Sequence, residues 1–180
     1  MPKRIGRKTS NPTLYLDTNI LSVLFYRGAH VGTLHQQMKT REWWADERKF
    51  FTIYSSVFTE GELRQGDFPG QPDAIALCRR LPRVPMTARV RECARVLLDA
   101  GVVPPNKPGD AVQLAFATVH KIDYLLTWNY AHLANLDTQR KLESLCRKHG
   151  WRAPFLVSPE TIPRQSLGQT IRRKDRENDN

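Results

Sequence analysis

Short apolar runs alternate with longer segments of helical periodicity through the middle of the chain. Runs rich in apolar, β-branched and aromatic residues predict strands at residues 13–17, 51–55, 122–128 and 154–157. A weaker run at residues 84–86 is a candidate fifth strand. The segments between them predict helices at about residues 18–27, 33–48, 56–65, 72–81, 87–100, 110–120 and 138–148. Because strands that alternate with helices are typical of βαβ units, the pattern predicts an α/β fold with a parallel sheet of four or five strands.

Two of the predicted helices differ in how their apolar residues are arranged. One has Val90, Cys93, Ala94 and Leu97 at helical spacing, with arginines elsewhere, which predicts a single buried face. The other, at residues 111–119, is apolar nearly all round, so we expect it to be covered on most sides.

Composition places the chain among ordinary globular proteins. Its 180 residues are 40% hydrophobic and 26% charged, which suffices for one domain with a substantial core. We expect residues 13–162 to form that domain. Residues 1–12 are basic and polar, and residues 163–180 are polar with almost no large apolar side chain. Both ends are therefore expected to be flexible tails.

The cysteines and the apolar runs argue against several classes of protein. Cys78, Cys93 and Cys146 are odd in number, lie far apart and form no CxxC pair, which disfavours a disulfide framework or a thiolate zinc site. The longest apolar run near the N-terminus is broken by Asp17, Thr18 and Asn19, which argues against a signal sequence, and no stretch approaches the ~20 apolar residues of a membrane span. We therefore expect a cytoplasmic protein without a membrane partner.

The charge of the chain points to a polyanionic partner. The formal net charge is +10, so the surface is expected to attract nucleic acid or another polyanion. Within residues 79–95 the only acid is Glu92, against six arginines: Arg79, Arg80, Arg83, Arg89, Arg91 and Arg95. These arginines are candidates for contacts with RNA phosphates, although solvated helix faces explain them equally well.

Four oxygen-bearing side chains stand at the edges of predicted elements. Asp17 and Asn129 follow two of the predicted strands, Asp110 stands at the start of a predicted helix, and Glu62 lies within another. In an open α/β sheet, the ligand site lies beyond the carboxyl ends of neighbouring strands. The four side chains would share one crevice if the first strand and the strand at 122–128 are neighbours. The hydroxyl of Thr127 is a further candidate, although packing at a strand end explains it as well.

Such a cluster would need a cation. Converging carboxylates repel one another, and unless they protonate, a cation must neutralise them. Because all four candidates are hard oxygen ligands, with no His or Cys among them, they favour Mg²⁺ or Mn²⁺. A water on such an ion can become a nucleophile, and a phosphate group is its natural substrate.

Simpler explanations exist for some of these acids. Asp17 would cap the helix that follows it, and Asp110 with Gln113 forms a capping-box pattern. Glu60 is explained by an ion pair with Arg64 one turn later. Glu62 has no basic neighbour on its helix face, which makes it the better ligand candidate of the two glutamates.

Four segments, in this order and spacing, resemble the PIN-domain family and especially the bacterial VapC-like toxins. They are Tyr15-Leu16-Asp17-Thr18-Asn19-Ile20-Leu21, Glu62-Leu63-Arg64-Gln65-Gly66-Asp67, Gly109-Asp110-Ala111-Val112-Gln113-Leu114-Ala115 and the long stretch from Asp123 through Thr127-Trp128-Asn129 to Asn135. The resemblance extends from about residue 13 to residue 162.

This resemblance implies a three-layer α/β/α sandwich and a Mg²⁺- or Mn²⁺-dependent endoribonuclease that cleaves RNA phosphodiesters with a metal-activated water. It also implies a cognate antitoxin, and it allows a homodimer. Position by position, Asp17, Glu62 and Asp110 would be the metal ligands, with Asn129 and Thr127 completing the site. The family often has Asp where this chain has Asn129, and a neutral amide binds a second metal poorly. The alternative is a PIN-like RNA-binding or regulatory module with weakened catalysis.

Overall fold

The computed structural model describes residues 11–165, so nearly all of the two predicted tails lies outside the described residues. Four strands and seven α-helices follow in the order β1 (Thr13–Leu16), α1 (Thr18–Leu24), α2 (Val31–Asp46), β2 (Thr52–Tyr54), α3 (Val57–Gln65), α4 (Gln71–Arg80), α5 (Ala88–Asp99), α6 (Pro108–Val119), β3 (Tyr124–Leu126), α7 (Leu136–His149) and β4 (Phe155–Val157). A single 3-10 turn, Arg48–Phe50, precedes β2. The predicted alternation of strands and helices is confirmed.

The strands form one parallel sheet in the order β2-β1-β3-β4. In register, Leu14 of β1 lies opposite both Ile53 of β2 and Tyr124 of β3. The chain therefore winds outward in one direction after β1 and in the other after β3. Their shared border is the switch point where open α/β sheets place their ligands.

The predicted fifth strand at residues 84–86 is wrong. In its place, an isolated parallel bridge joins Ser55 to Arg83. The backbone carbonyl of Pro82 accepts from the Ser55 N–H, and the Val84 N–H donates to Ser55. Pro82 and Pro85 flank this bridge and carry no N–H to donate, which prevents the ladder from extending.

The sheet separates two cores, because side chains alternate between its faces along each strand. Leu14 and Leu16 pack with α1, α2 and α4 on one side, while Tyr15 packs with α5, α6 and α7 on the other. The three-layer α/β/α sandwich is thus confirmed. The predicted face of α5 is buried at Val90, Cys93, Ala94 and Leu97.

Helix α6 is enclosed by its neighbours, as its apolar sequence predicts. Seven of its side chains are buried, and Leu114, Ala115 and Phe116 are fully so. The first turn of this helix lies beside the carboxyl ends of β1 and β3, where Asp110 accepts from Asn129 and Gln113 of the next turn donates to Thr18. Within residues 11–165, no helix is both long and apolar enough to cross a membrane.

Candidate active site

Asp17 begins the site where β1 ends. Its backbone N–H donates to Leu126 of β3 at 3.0 Å, which ties the ends of the two central strands together. The carboxylate is 94% buried, and its Oδ2 accepts from the Asn19 amide at 2.6 Å and from the Thr127 hydroxyl at 2.5 Å. Although Asp17 stands at the N-cap position of α1, its side chain makes no capping hydrogen bond. The capping explanation for Asp17 is therefore wrong.

Glu62 reaches the same crevice from the middle of α3. Its Oε2 accepts from the Thr18 hydroxyl and from the Gln113 amide of α6, each at 2.5 Å. The other oxygen, Oε1, lies against the first turn of α6, where a Cβ added to Gly109 would approach it to 2.9 Å. Because Gly109 has no side chain, this carboxylate has room beside the first turn of α6.

Asp110 enters the site from the first turn of α6. Its Oδ2 accepts from the Asn129 amide at 3.0 Å. The helix begins at Pro108, two residues before Asp110, with Lys107 at the N-cap position. Proline favours the first position of a helix, which places Asp110 inside the first turn. Gln113 binds Thr18 and Glu62, so the capping-box explanation for Asp110 is also wrong.

Asn129 orients Asp110 through its side-chain amide, and the amide's own contacts show which of its ends is oxygen and which is nitrogen. Its Oδ1 accepts from the backbone N–H of His132 at 3.0 Å. A backbone N–H can only donate, so the atom that faces it must be oxygen and the amide nitrogen must face Asp110. Asn129 thus acts on Asp110 as a neutral hydrogen-bond donor.

Thr127 connects the two halves of the site. Its hydroxyl is fully buried, donates to Asp17 and accepts from the Asn129 backbone N–H and the Asn19 side-chain amide, both at 3.0 Å. Simple packing at a strand end does not require these bonds. Thr127 therefore positions Asp17 and Asn129 relative to each other.

Burial raises the pKa of all three acids, and repulsion between carboxylates adds to this effect for Asp17 and Glu62. For Asp17, burial is the largest cause, and the charges of Glu62 and Asp110 add to it, which together raise the pKa to about 7. Burial also raises the pKa of Glu62, with a further contribution from Asp110. The pKa of Asp110 is raised by burial against the opposing effects of Asn129 and His132. The three groups therefore share one electrostatic environment.

The donor chemistry of these acids fits a hard divalent cation. Each carboxylate uses one oxygen, Oδ2 or Oε2, for side-chain hydrogen bonds, and within residues 11–165 the second oxygen has no side-chain hydrogen-bond partner. In the same range, no three His, Cys, Asp or Glu side chains are arranged to hold a metal by themselves. Mg²⁺ commonly binds through one or two carboxylates, keeping waters and substrate phosphates as its other ligands. The arrangement suits that mode of binding.

The arginines of residues 79–95 have more acidic partners than the local count suggests. Arg79 and Arg83 join Arg64 in binding Glu60 of α3, and Arg95 binds Glu92 and Asp99. The expectation that these arginines lack acidic partners is wrong for Arg79, Arg83 and Arg95, because Glu60 and Asp99 lie outside the counted segment and Arg95 also binds Glu92 within it. Of these six arginines, the three that form no ion pair among the described residues are Arg80, Arg89 and Arg91.

Three polar residues complete the site without having been predicted as part of it: Thr18, Asn19 and Gln113. All three donate hydrogen bonds to Asp17 or Glu62. Each lies one to three residues after a predicted acid, within the same motif. In the sequence, these residues could have been found only by their closeness to the predicted acids. Their hydrogen-bond partners are known only once α1 is seen to pack beside α3 and α6.

The fold and site together define a three-layer parallel α/β protein with an acidic crevice at its switch point. No family model matches the chain, and no curated protein matches it in sequence. Among solved structures, it is similar to a toxin–antitoxin complex from Klebsiella pneumoniae, at TM-score 0.52 and 19% identity over 81% of this chain and 97% of that chain. It is also similar to Mycobacterium tuberculosis VapC20, described as a sarcin-ricin loop cleaving toxin, at TM-score 0.50 and 18% identity over 62% of this chain and 86% of that chain. At such identities the shared property is the fold, and the predicted PIN-like fold is confirmed.

Proposed function

We propose that this protein is a divalent-metal-dependent endoribonuclease that acts as the toxin of a toxin–antitoxin pair. The observation that carries the proposal is the convergence of Asp17, Glu62 and Asp110 from three separate elements. Within residues 11–165, none of these three acids forms an ion pair. Folding thus gathers three acids that have no ion-pair partner among the described residues, which is costly unless a cation binds.

These carboxylates would hold the cation together with waters and substrate phosphates, through the oxygens that have no side-chain hydrogen-bond partner among the described residues. A divalent cation bound there would supply charge neutralisation and an activated water for attack on a phosphodiester. Asn19 and Thr127 fix the Asp17 carboxylate, Gln113 and Thr18 fix Glu62, and Asn129 fixes Asp110. Because Asn129 is neutral and donates to Asp110, its role is to orient that acid, which favours a single cation.

Two further features support an RNA substrate and a protein partner. The chain carries a net charge of +10, and arginines without an ion pair among the described residues are available to contact phosphates. One similar structure is described as a toxin that cleaves the sarcin-ricin loop, and another as a toxin–antitoxin complex. We therefore propose a cognate antitoxin that covers the acidic crevice.

The test is RNA cleavage with Mn²⁺ or Mg²⁺, compared with EDTA, for the wild-type chain and Asp110→Asn. The amide oxygen of asparagine can accept the hydrogen bond that Asp110 accepts from Asn129, so the variant should unfold at nearly the wild-type temperature. It should lose cleavage by about 100-fold or more.

Asp137→Asn is the matched control, because Asp137 also lies in the first turn of a helix but pairs only with Lys141 on the surface. It should retain wild-type activity. Cleavage that survives in Asp110→Asn or in EDTA would contradict the proposal. RNA that binds to the wild-type chain but stays intact with either metal would favour the catalytically weakened RNA-binding module.

A further inference from the structure

A cavity of about 760 Å³ opens near the amino-terminal ends of the strands, whereas the acidic crevice lies at their carboxyl ends. It lies where α5 begins and where α6 and α7 end, and its wall includes the apolar surfaces of Ala88, Val119 and Trp151. Three cationic side chains also line it: Arg89, Lys121 and Arg152. The volume lies within the usual range for small-molecule sites, which also combine apolar walls with a few polar groups.

The cavity carries positive charge that its surroundings leave uncompensated. Arg152 binds Asp123, and the only acid in the wall, Glu92, is bound by Arg95. Arg89 and Lys121 form no ion pair among residues 11–165. Arg89 also lies in the first turn of α5, and no acidic residue lies in that turn. A cation at the positive end of a helix is unfavourable by itself and becomes favourable when an anion binds there.

Lys121 adopts a left-handed backbone conformation that, within residues 11–165, is otherwise found at glycines. Three helices, α5, α6 and α7, end in the same pair of backbone hydrogen bonds, the pattern of a Schellman cap. The residue with positive φ is Gly101 after α5 and Gly150 after α7, with φ of 65° and 66°. After α6 it is Lys121, with φ of 55°. A lysine is strained there, and such strain is typically found where the side chain has a function.

We infer that this cavity binds the phosphate and base of a nucleotide, either free or within single-stranded RNA. The phosphate would lie between Arg89 and Lys121 at the start of α5. The base would lie against Trp151, whose ring is already stacked on the His149 imidazole at a centroid distance of 4.5 Å. Aromatic side chains and cations together form the usual recognition surface for unpaired nucleotides. This inference does not rest on the proposed nuclease activity.

The test measures binding of AMP, inorganic phosphate and a short single-stranded oligoribonucleotide by calorimetry, with the full chain in EDTA so that the acidic crevice is without metal. Lys121→Gly and Arg89→Gln should each weaken AMP binding by about 10-fold or more, the usual effect of losing a charged hydrogen bond. Phosphate should bind more weakly than AMP, and Trp151→Leu should remove that difference. Binding of the oligoribonucleotide without AMP would assign the site to RNA.

Stability separates a binding role from a structural one. Because glycine relieves the strained φ, Lys121→Gly should leave Tm unchanged or raise it by up to about 4 °C while it weakens binding. Arg140→Gln is the control, since Arg140 of α7 also lacks an ion pair among the described residues but lies outside the cavity. It should change AMP affinity by less than about 2-fold. Absence of AMP and RNA binding to the wild-type chain, equal affinity in Lys121→Gly, or an equal loss in Arg140→Gln would overturn the inference.

Discussion

Glu60 and Glu62 are two glutamates on one helix with opposite surroundings. Glu60 is bound by Arg64, Arg79 and Arg83 at 2.8, 2.8 and 2.6 Å. The hydrogen bonds of Arg64 and Arg79, together with the charges of Arg79 and Arg83, lower its pKa to about 2. Among residues 11–165, the side chains that donate to Glu62 are neutral, and burial together with the charge of Asp110 raises its pKa. Three positive charges therefore surround the carboxylate of Glu60, whereas the carboxylate of Glu62 has no positive side chain bound to it among residues 11–165.

The difference follows from helix geometry. Residues two apart on an α-helix point in directions about 200° apart, so the two side chains leave α3 on opposite sides. Glu60 faces α4 and the segment that pairs with Ser55, and it holds those elements together through arginines. Glu62 faces α1 and α6, at the switch point of the sheet. The same residue type thus serves as a structural anchor on one side and as a group that requires a ligand on the other.

The largest expected effect of separating these roles is on cleavage of RNA. Glu62→Gln should lower kcat/KM for Mn²⁺-dependent cleavage by about 100-fold or more, because it removes a charge from the cation site. Glu60→Gln should change it by less than about 3-fold at a temperature where both variants are folded. Equal losses in the two variants would mean that both glutamates act through stability, and the distinction would fail.

The next effect concerns stability and pH at Asp17, the most deeply buried acid of the site. Its folded pKa of about 7 exceeds the ordinary value of 3.8, so the folded state retains a proton that the unfolded state releases. Stability should therefore fall as pH rises from about 4 to 7. Asp17→Asn lacks this penalty, and its Tm in EDTA should exceed that of the wild type by roughly 5 °C near pH 8. The difference in Tm between the two proteins should vanish near pH 4. At pH 8 it should become smaller when Mn²⁺ is added, because the metal stabilises the wild type.

Glu60 should show the opposite pH dependence with a smaller amplitude. Its folded pKa of about 2 lies below the ordinary 4.5, so its contribution is complete above pH 4.5 and is lost as pH falls towards 2. The three arginines are 35–55% exposed, and solvent screening limits the contribution to about 1 kcal/mol. Glu60→Gln should lower Tm by about 2–4 °C at neutral pH. Glu92→Gln, which removes a surface ion pair, is the control and should have almost no effect.

The sequence predicts the sheet and the principal acids for a physical reason. Strand ends and helix starts are marked locally by apolar runs and by residues such as Pro108, and parallel strands bring their carboxyl ends to one edge. Asp17, Asp110 and Asn129 were predictable in this way, and Glu62 followed from the absence of a basic neighbour on its helix face.

The partners of these acids depend on contacts between distant segments, which local spacing does not reveal. Gln113 fits a capping box in sequence, yet it binds Glu62 from 51 residues away. Arg79 and Arg83 appear unpaired in a local count, yet Glu60 lies 19 and 23 residues before them. In both cases the packing of helices determined the partner. The binding role of the remaining arginines stays a prediction.

The smallest expected effect comes from adding a single methyl group near Glu62 or between the two glutamates on α3. A Cβ at Gly109 would approach Glu62 Oε1 to 2.9 Å, whereas a Cβ at Gly61, between the two glutamates on α3, would meet nothing within 4 Å. Gly109→Ala should displace the flexible end of Glu62 and lower cleavage by about 3- to 10-fold, because small misplacements of a catalytic group are costly. Gly61→Ala should leave cleavage unchanged, and Tm should rise by about 2–4 °C, since alanine favours a helix interior. If both variants cleave RNA at the wild-type rate, the position of the Glu62 carboxylate beside α6 does not control the reaction, and the contrast between the two glutamates reduces to stability alone.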